Sequence, residues 1–183
     1  MANIQISVSK NGTTTLATAG KYCDRNIDIV TDVPTSDAEE AVVDGILSGT
    51  IEELYNDRVS VITQRALQGR ESLRVAKLLA VKEVQQNAFS ACASLETVEI
   101  KGGISIGWQA FSNCKALKAL VIRENPANKL TSLANTNAFD GSSIADGTGY
   151  VYVPDNSVNS YKSAAKWSTF AGQIKPLSEY GGA

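Results

Sequence analysis

The chain has 183 residues, of which 43% are apolar and 20% charged, and its formal net charge is −2. This length is typical of one domain with an appendage, and it needs no metal or disulfide to hold a core. Residues 1–58 carry four basic and ten acidic side chains, whereas residues 59–183 carry 13 and nine. Neither part has the dense basic patch needed to bind phosphates, so we expect no nucleic-acid partner.

Several common functional residues and segments are missing. The sequence has no histidine, which removes the commonest general base and metal ligand. Its three cysteines, Cys23, Cys92 and Cys114, are too few for a disulfide framework. No apolar run approaches the ~18 residues of a membrane span, and residues 1–20 lack the pattern of a secretory signal. We expect no enzymatic activity, cofactor, metal or membrane partner. The protein is expected either to stay in the cytoplasm or to leave it without a classical signal, as by lysis.

Residues 1–35 are predicted to form a small β-rich segment for attachment or oligomerisation. Ile4, Ile6 and Val8 alternate with polar residues, an Asn-Gly pair follows in "SKNGTTT", and Ile27 and Ile29 alternate again. Alternation interrupted by Asn-Gly is the pattern of a β-hairpin.

Residues 36–58 are predicted to form a helical connector that covers the start of the next segment. Ser36 and Glu39 match a capping box, and the following apolar residues recur at helical spacing. The acidic residues here lack the alternation of a calcium loop and are favoured by the helix dipole, so we interpret them as solvated surface.

Residues 59–153 contain an internal repeat. A small residue and a large one recur as Ala66-Leu67, Ala88-Phe89, Ala110-Phe111 and Ala138-Phe139, at spacings of 22, 22 and 28 residues. The stretches "LETVEI" and "LKALVI" then alternate with a period of two, which indicates a strand with one buried face. The stretches "NAFSAC" and "QAFSNC" are predicted to form one short helical turn that packs inward.

One such unit cannot bury its apolar face alone, but stacked units form a parallel sheet over a continuous core with a column of Phe rings. The repeat therefore predicts a scaffold rather than a catalytic site. The predicted core residues are Leu67, Phe89, Phe111, Phe139, Cys92, Cys114, Leu95 and Leu117.

The phrases "AFSACASLETVEI" and "AFSNCKALKALVI" resemble the BspA-like class of leucine-rich repeat, whose unit has Ala-Phe, then Cys, then Leu before a strand. The copies at 59–80 and 130–153 are degenerate, as end units of a solenoid are. Residues 154–183, with "DNSVNSYKSAAKWSTFAGQIKPL", are predicted to close the last unit, with Trp167 packed in this cap. The predicted fold class is α+β: a short leucine-rich-repeat solenoid with a parallel sheet, preceded by the β-rich segment and helix, and closed by a strand-helix cap.

Cys92 and Cys114 lie at equivalent positions of adjacent repeats. They form a redox staple, half of a metal site, or a ladder of small buried side chains. The ladder is favoured because free Cys is commonly buried, and because no His or further Cys is near to complete a zinc ligand set. "GGISIG" at 102–107 matches no phosphate-binding pattern and is interpreted as turn glycines. Some serines lie near aspartates, but the sequence has no histidine to act as their base, so we predict no serine nucleophile.

The outer face of the repeat strands is the candidate partner surface. Its residues lie between the inward-facing ones, and Lys77 beside Glu99 forms a possible cross-strand ion pair. Ala119 and Val121 are apolar where solvent-facing residues are expected, which indicates contact with another chain or with the N-terminal segment. The predicted surface consists of Val75, Lys77, Thr97, Glu99, Ala119 and Val121.

Taken whole, the chain resembles a type of phage or prophage virion protein, from "VSKNGTTTLATAGKYCDRNIDI" through "DGILSGTIEELYNDRV" to "GTGYVYVPDNSVNSYKSAAKWSTFAGQIKPLSEY". The resemblance implies a structural or accessory virion protein, such as a fibre, baseplate or capsid-decorating part. It implies other virion proteins or a host receptor as partners, and a homo-oligomer, with a trimer favoured. The alternative is a bacterial surface adhesin, because such repeats also resemble those of surface antigens.

Overall fold

The structure is a computed structural model, and it describes residues 4–10, 13–19, 52–56 and 60–181. The described strands are β1 (Ile4–Lys10), β2 (Thr13–Ala19), β3 (Glu53–Asn56), β4 (Val61–Ile62), β5 (Val75–Leu78), β6 (Glu83–Val84), β7 (Thr97–Ile100), β8 (Ser105–Ile106), β9 (Ala119–Ile122), β10 (Ser132–Leu133), β11 (Tyr150–Val153) and β12 (Ile174–Pro176). They form an eight-stranded sheet in the order β12-β11-β9-β7-β5-β3-β1-β2 and a four-stranded sheet in the order β10-β8-β6-β4.

Helices are short and lie mostly in the C-terminal part of the described chain. The α-helix α1 spans Val158–Ser163, and the 3-10 helices span Pro126–Asn128, Thr136–Phe139, Asp155–Ser157, Trp167–Gln173 and Leu177–Glu179. Parallel sheets with few helices agree with the predicted α+β fold class.

Each repeat adds one parallel strand to each sheet. Leu54 pairs with Ala76, Ala76 with Val98 and Val98 with Leu120, so the register advances by 22 residues at every step. These four residues have no exposed surface, whereas Val75, Lys77 and Thr97 between them are half-buried. The alternation seen in the sequence therefore produces the predicted parallel strands with one face in the core.

The side of each repeat that carries Ala-Phe is built from turns with left-handed residues. In the repeat at 87–92, Asn87 and Ala91 have φ of 56° and 61°. The N–H groups of Asn87, Phe89 and Ala91 donate to the next repeat, at 2.8–3.0 Å, while those between them donate within the turn. The predicted helical turn is wrong at this place, because these alternating hydrogen bonds to the neighbouring repeat take the place of helical ones.

The Phe side chains form one column along the core. The ring centroids of Phe89 and Phe111 are 5.3 Å apart, and those of Phe111 and Phe139 are 5.7 Å apart, with interplanar angles of 14° and 8°. Leu67 is also fully buried at the equivalent position. The predicted stacking is confirmed, and all eight predicted core residues are 0% exposed: Leu67, Phe89, Phe111, Phe139, Cys92, Cys114, Leu95 and Leu117.

The C-terminal segment closes this column. Trp167 and Phe170 pack against Phe139 at centroid distances of 6.1 and 5.3 Å. The indole N–H of Trp167 donates to the Thr131 carbonyl at 2.6 Å, which anchors the cap to the last repeat. Trp167 is 1% exposed and therefore serves cap packing as predicted.

The N-terminal hairpin extends the sheet of the repeats. β1 pairs antiparallel with β2, with Lys10 opposite Thr13, and antiparallel with β3, with Val8 opposite Leu54. The predicted hairpin is thus present as backbone pairing. The predicted strand at Ile27 and Ile29, the helix predicted over 38–47 and Cys23 lie outside the described residues. The end of the predicted helical connector is described, and there Glu53–Asn56 form strand β3 beside β5.

Candidate functional site: the outer face of the eight-stranded sheet

Strand pairing arranges the outward-facing residues of the eight-stranded sheet in two rows. The six residues predicted from the sequence all lie in these rows, which continue onto residues that the sequence analysis did not include. The first row runs through Glu53, Val75, Thr97, Ala119 and Tyr150, and the second through Tyr55, Lys77, Glu99, Val121 and Tyr152.

The centre of this face is less exposed than its sequence suggests. Ala119 is 5% and Val121 0% exposed, so neither is open to solvent, although their places in the strand are those of solvent-facing residues. Their neighbours in the rows have longer side chains, since Tyr150 is paired with Ala119 and Tyr152 with Val121, and long side chains shield short ones between them. The longer side chains of Tyr150 and Tyr152 are half-buried and reach the surface.

Glu99 is the centre of an ion-pair cluster on this face. It is 6% exposed and accepts two hydrogen bonds from the Arg123 guanidinium, at 2.8 and 2.9 Å. Lys77 Nζ lies 3.9 Å from Glu99 Oε2, so the predicted cross-strand pair is present, at a longer distance than the pair of Arg123 and Glu99. The hydrogen bond to Glu99 raises the pKa of Arg123. A two-pronged Arg–carboxylate pair fixes both side chains in place.

The sequence analysis did not identify Arg123 as part of this face. It follows β9 and reaches back to Glu99 across 24 residues, two more than the repeat spacing. A search for opposite charges at the repeat spacing finds Lys77 and Glu99 but not this diagonal pair. A search that allowed offsets of two residues would have found it.

A cluster of aromatic and cationic side chains covers the C-terminal end of this face. The ring of Tyr152 lies 4.9 Å from that of Tyr180 and 6.3 Å from that of Tyr150. Lys175 Nζ is 3.9 Å from the Tyr150 ring centroid, and the Arg123 guanidinium is 5.7 Å from that of Tyr180. These five residues, which we call the tyrosine cluster, are close enough for cation–π attraction. The sequence analysis did not identify this cluster, although the alternation of Tyr and Val in "YVYVP" indicates that Tyr150 and Tyr152 lie on one face of a strand.

A second aromatic contact lies at the other end of the rows. Lys77 Nζ is 5.2 Å from the Tyr55 ring centroid, and the Tyr55 hydroxyl donates to Glu53 at 2.8 Å. Burial, and then this hydrogen bond to Glu53, raise the pKa of Tyr55 to about 12. The outer face therefore carries aromatic rings at both ends and a buried carboxylate between them.

The two buried cysteines have a structural role. Cys92 and Cys114 are free thiols, and their Sγ atoms donate to the carbonyls of Leu67 at 2.9 Å and Phe89 at 3.0 Å. Burial raises the pKa of the Cys92 thiol to about 12 and raises that of Cys114 as well. A protonated, hydrogen-bonded thiol is a poor nucleophile and metal ligand, which favours the ladder over the redox staple.

The remaining chemistry of the described residues is sparse. They contain no cluster of three or more His, Cys, Asp or Glu side chains that could hold a metal ion. None of the helices in this part of the chain is long and apolar enough to cross a bilayer. What the outer face offers is ordered tyrosines and paired charges, which suit contact with another macromolecule.

Comparison with known proteins identifies the repeats. The BspA type leucine rich repeat region matches residues 50–163, in six copies, and so covers more than half of the chain. No curated protein and no solved structure matches. The stacked strands and the recurring Ala-Phe and Cys positions lie within the matched range. The chain belongs to the BspA type leucine-rich repeat family.

Proposed function

We propose that the chain is a non-enzymatic interaction module that uses the outer face of its eight-stranded sheet to bind a protein partner. The observation that carries this proposal is the tyrosine cluster, in which Tyr150, Tyr152 and Tyr180 pack with Arg123 and Lys175. Tyr and Arg are enriched among the residues that contribute most binding energy. Their mutual contacts order them in advance and reduce the entropy lost on binding.

We further propose that this module is a virion protein of a phage or prophage, in a fibre, baseplate or capsid decoration. The support is the resemblance of several phrases along the chain to such proteins. The partners are then other virion proteins or a host surface receptor. Surface leucine-rich repeats of this family type equally suit a bacterial adhesin, which is the second candidate because of the family match at residues 50–163.

Quantitative mass spectrometry of particles purified from a lysed producer culture separates the two candidates. A virion protein is expected at a fixed ratio to the major capsid protein in every preparation. That ratio distinguishes a rare tail part from an abundant capsid decoration. Absence from particles, with the protein recovered on intact cells, would contradict the virion proposal and favour the adhesin.

We also propose self-association, with a trimer as the expected form. β2 is the last strand of the eight-stranded sheet among the described residues, and an edge strand provides backbone groups for pairing with another copy. Symmetric assembly would multiply weak contacts of the outer face. Size exclusion with light scattering is expected to give three times the mass of one chain, and a pure monomer at high concentration would contradict self-association.

A further inference from the structure

A groove of about 630 Å³ lies where the strands of the eight-stranded sheet turn toward those of the four-stranded sheet. Three successive turns line it: residues 79–82 between β5 and β6, residues 101–104 between β7 and β8, and residues 126–129 between β9 and β10. None of its residues belongs to the two rows or the tyrosine cluster. The groove is therefore separate from the surface of the function proposed above.

The wall of the groove is apolar. Leu79 is 41% exposed, and only one other large apolar side chain in the described part of the chain is exposed. Val81 and Ile104, each 2% exposed, and the exposed Pro126 line the same groove. Gly103 permits the close approach of Pro126, since a Cβ on Gly103 would lie 2.9 Å from Pro126 Cγ. The repeat turns thus hold an apolar surface open to solvent.

Three lysines surround this apolar surface, one from each turn: Lys82, Lys101 and Lys129. Lys101 Nζ is 2.8 Å from Glu124 Oε1, and both of these side chains are about half-exposed. Among the described residues, neither Lys82 nor Lys129 has an ion-pair partner. Two positive charges without an ion-pair partner among the described residues therefore line the groove together with the exposed Leu79.

We propose that this groove binds an acidic peptide segment of a partner protein, with an apolar side chain of that segment against Leu79 and Pro126. The charges select the carboxylates, and they act over about 10 Å at moderate ionic strength. The apolar surface distinguishes a peptide from an inorganic anion or a sulfated polysaccharide, which would gain nothing from contact with Leu79. A peptide that contains acidic and apolar residues supplies both kinds of group.

The test uses the full chain and a fluorescently labelled short peptide in which Glu alternates with Leu, followed by anisotropy. Binding is expected to weaken as salt is raised, because exposed charges are screened. Replacing Glu by Gln in the peptide, or Leu by Ser, is expected to weaken binding about fivefold or more. No binding of the Glu-Leu peptide, or equal binding of the Ser peptide, would overturn the proposal.

Protein variants locate the site. Lys82→Gln combined with Lys129→Gln is expected to weaken peptide binding about fivefold to tenfold, as the loss of two exposed ion pairs implies. Leu79→Ser is expected to give a similar loss with a smaller dependence on salt. The matched control combines Lys115→Gln with Lys162→Gln, two exposed lysines outside the groove that give the same change in net charge. Equal weakening in the control would overturn the proposal.

Two other occupants of the groove, a general polyanion and a segment of a second copy of the chain, would give different results. If heparin displaces the labelled peptide from the groove while the Ser peptide binds as tightly as the Leu peptide, the site is a general polyanion site and the proposal fails. If the Lys82 and Lys129 variant abolishes self-association of the unlabelled protein, the acidic segment belongs to a second copy, and the external partner is overturned.

Discussion

Phe111 stands between Phe89 and Phe139 in the core column, and each neighbouring ring is stacked on it. Phe111→Ala removes contacts on both sides and leaves a cavity that the rigid repeats cannot fill, so we expect a loss of about 3–5 kcal/mol of unfolding free energy. The same loss is expected for Phe89→Ala, and urea denaturation measures both.

Trp108 supplies the control for this prediction. It is an aromatic residue of the same repeat but is 39% exposed, so Trp108→Ala is expected to cost less than about 1 kcal/mol. Near-wild-type stability of both Phe variants would contradict the stacked column.

Ala91 is an exposed alanine held in the left-handed region, with φ of 61°. The equivalent positions in the neighbouring repeats are occupied by Gly69, Asn113 and Gly141, residue types that adopt this conformation readily. Ala91→Gly is therefore expected to stabilise the chain by about 1 kcal/mol, measured as a higher denaturation midpoint. Ala88→Gly, at a buried position in the same turn, should instead destabilise it, and loss of stability in both variants would contradict the strain argument.

The thiols of Cys92 and Cys114 are expected to be unreactive in the folded protein. In a Cys23→Ser background, a thiol reagent should label neither until urea unfolds the chain, because burial keeps both protonated. Folding favours the protonated thiol and raises the pKa of Cys92 from 9.0 to about 12. The contribution of Cys92 to stability is therefore complete below pH 9.0 and is lost as the pH rises toward about 12. Rapid labelling at neutral pH without urea would contradict this burial.

At the scale of the element, the turn after β7 depends on one glycine. Gly102 has φ of +127°, and a Cβ on it would lie within the hard contact limit of the Glu124 backbone carbonyl oxygen. Gly102→Ala is expected to cost more than about 2 kcal/mol, because neither the φ angle nor the backbone neighbour can adjust. Gly172→Ala is the control, since a Cβ there meets nothing within 4 Å and is expected to leave stability nearly unchanged. Equal melting temperatures for the two variants would contradict this account of the turn.

A row of alternating charges also joins the repeats. Arg74 lies 3.6 Å from Glu52 and 3.1 Å from Glu96, and Lys118 lies 3.3 Å from Glu96. Each of these residues is 22 positions from the next, so opposite signs meet on adjacent repeats. Burial opposes ionisation of Glu96, but hydrogen bonds from Arg74 and Lys118 outweigh it and lower its pKa. Exposed pairs add little energy, yet a shift of register would remove all of them.

The sequence predicts the elements of the repeats well and their turns poorly. Recurrence of Ala-Phe and the alternation after it are enough to predict parallel strands and a Phe column, because each residue meets its equivalent in the next repeat. The turns at Asn87 and Ala91 are different. Their apolar spacing fits a helical turn equally well, and the hydrogen bonds that decide between the two come from another repeat.

At the scale of the whole molecule, the candidate site was only partly predictable. The rows through Lys77 and Glu99 follow directly from repeat spacing. The position of Tyr180 does not follow from repeat spacing. Tyr180 lies after the last repeat, and the fold of the C-terminal cap brings its ring against that of Tyr152. Burial of Val121 was missed for a related reason, since it depends on neighbours that the repeat period does not specify.

We propose that the repeated sequence forms the scaffold and that the outer face makes the contact with the partner. A photo-crosslinking phenylalanine derivative in place of Tyr152 tests it most directly, with the same group in place of the exposed Gln68 on the turn side as control. After irradiation in the producer culture, mass spectrometry is expected to find one protein joined to position 152 and none joined to position 68. Crosslinks at position 68 alone, at both positions equally or at neither would contradict the claim.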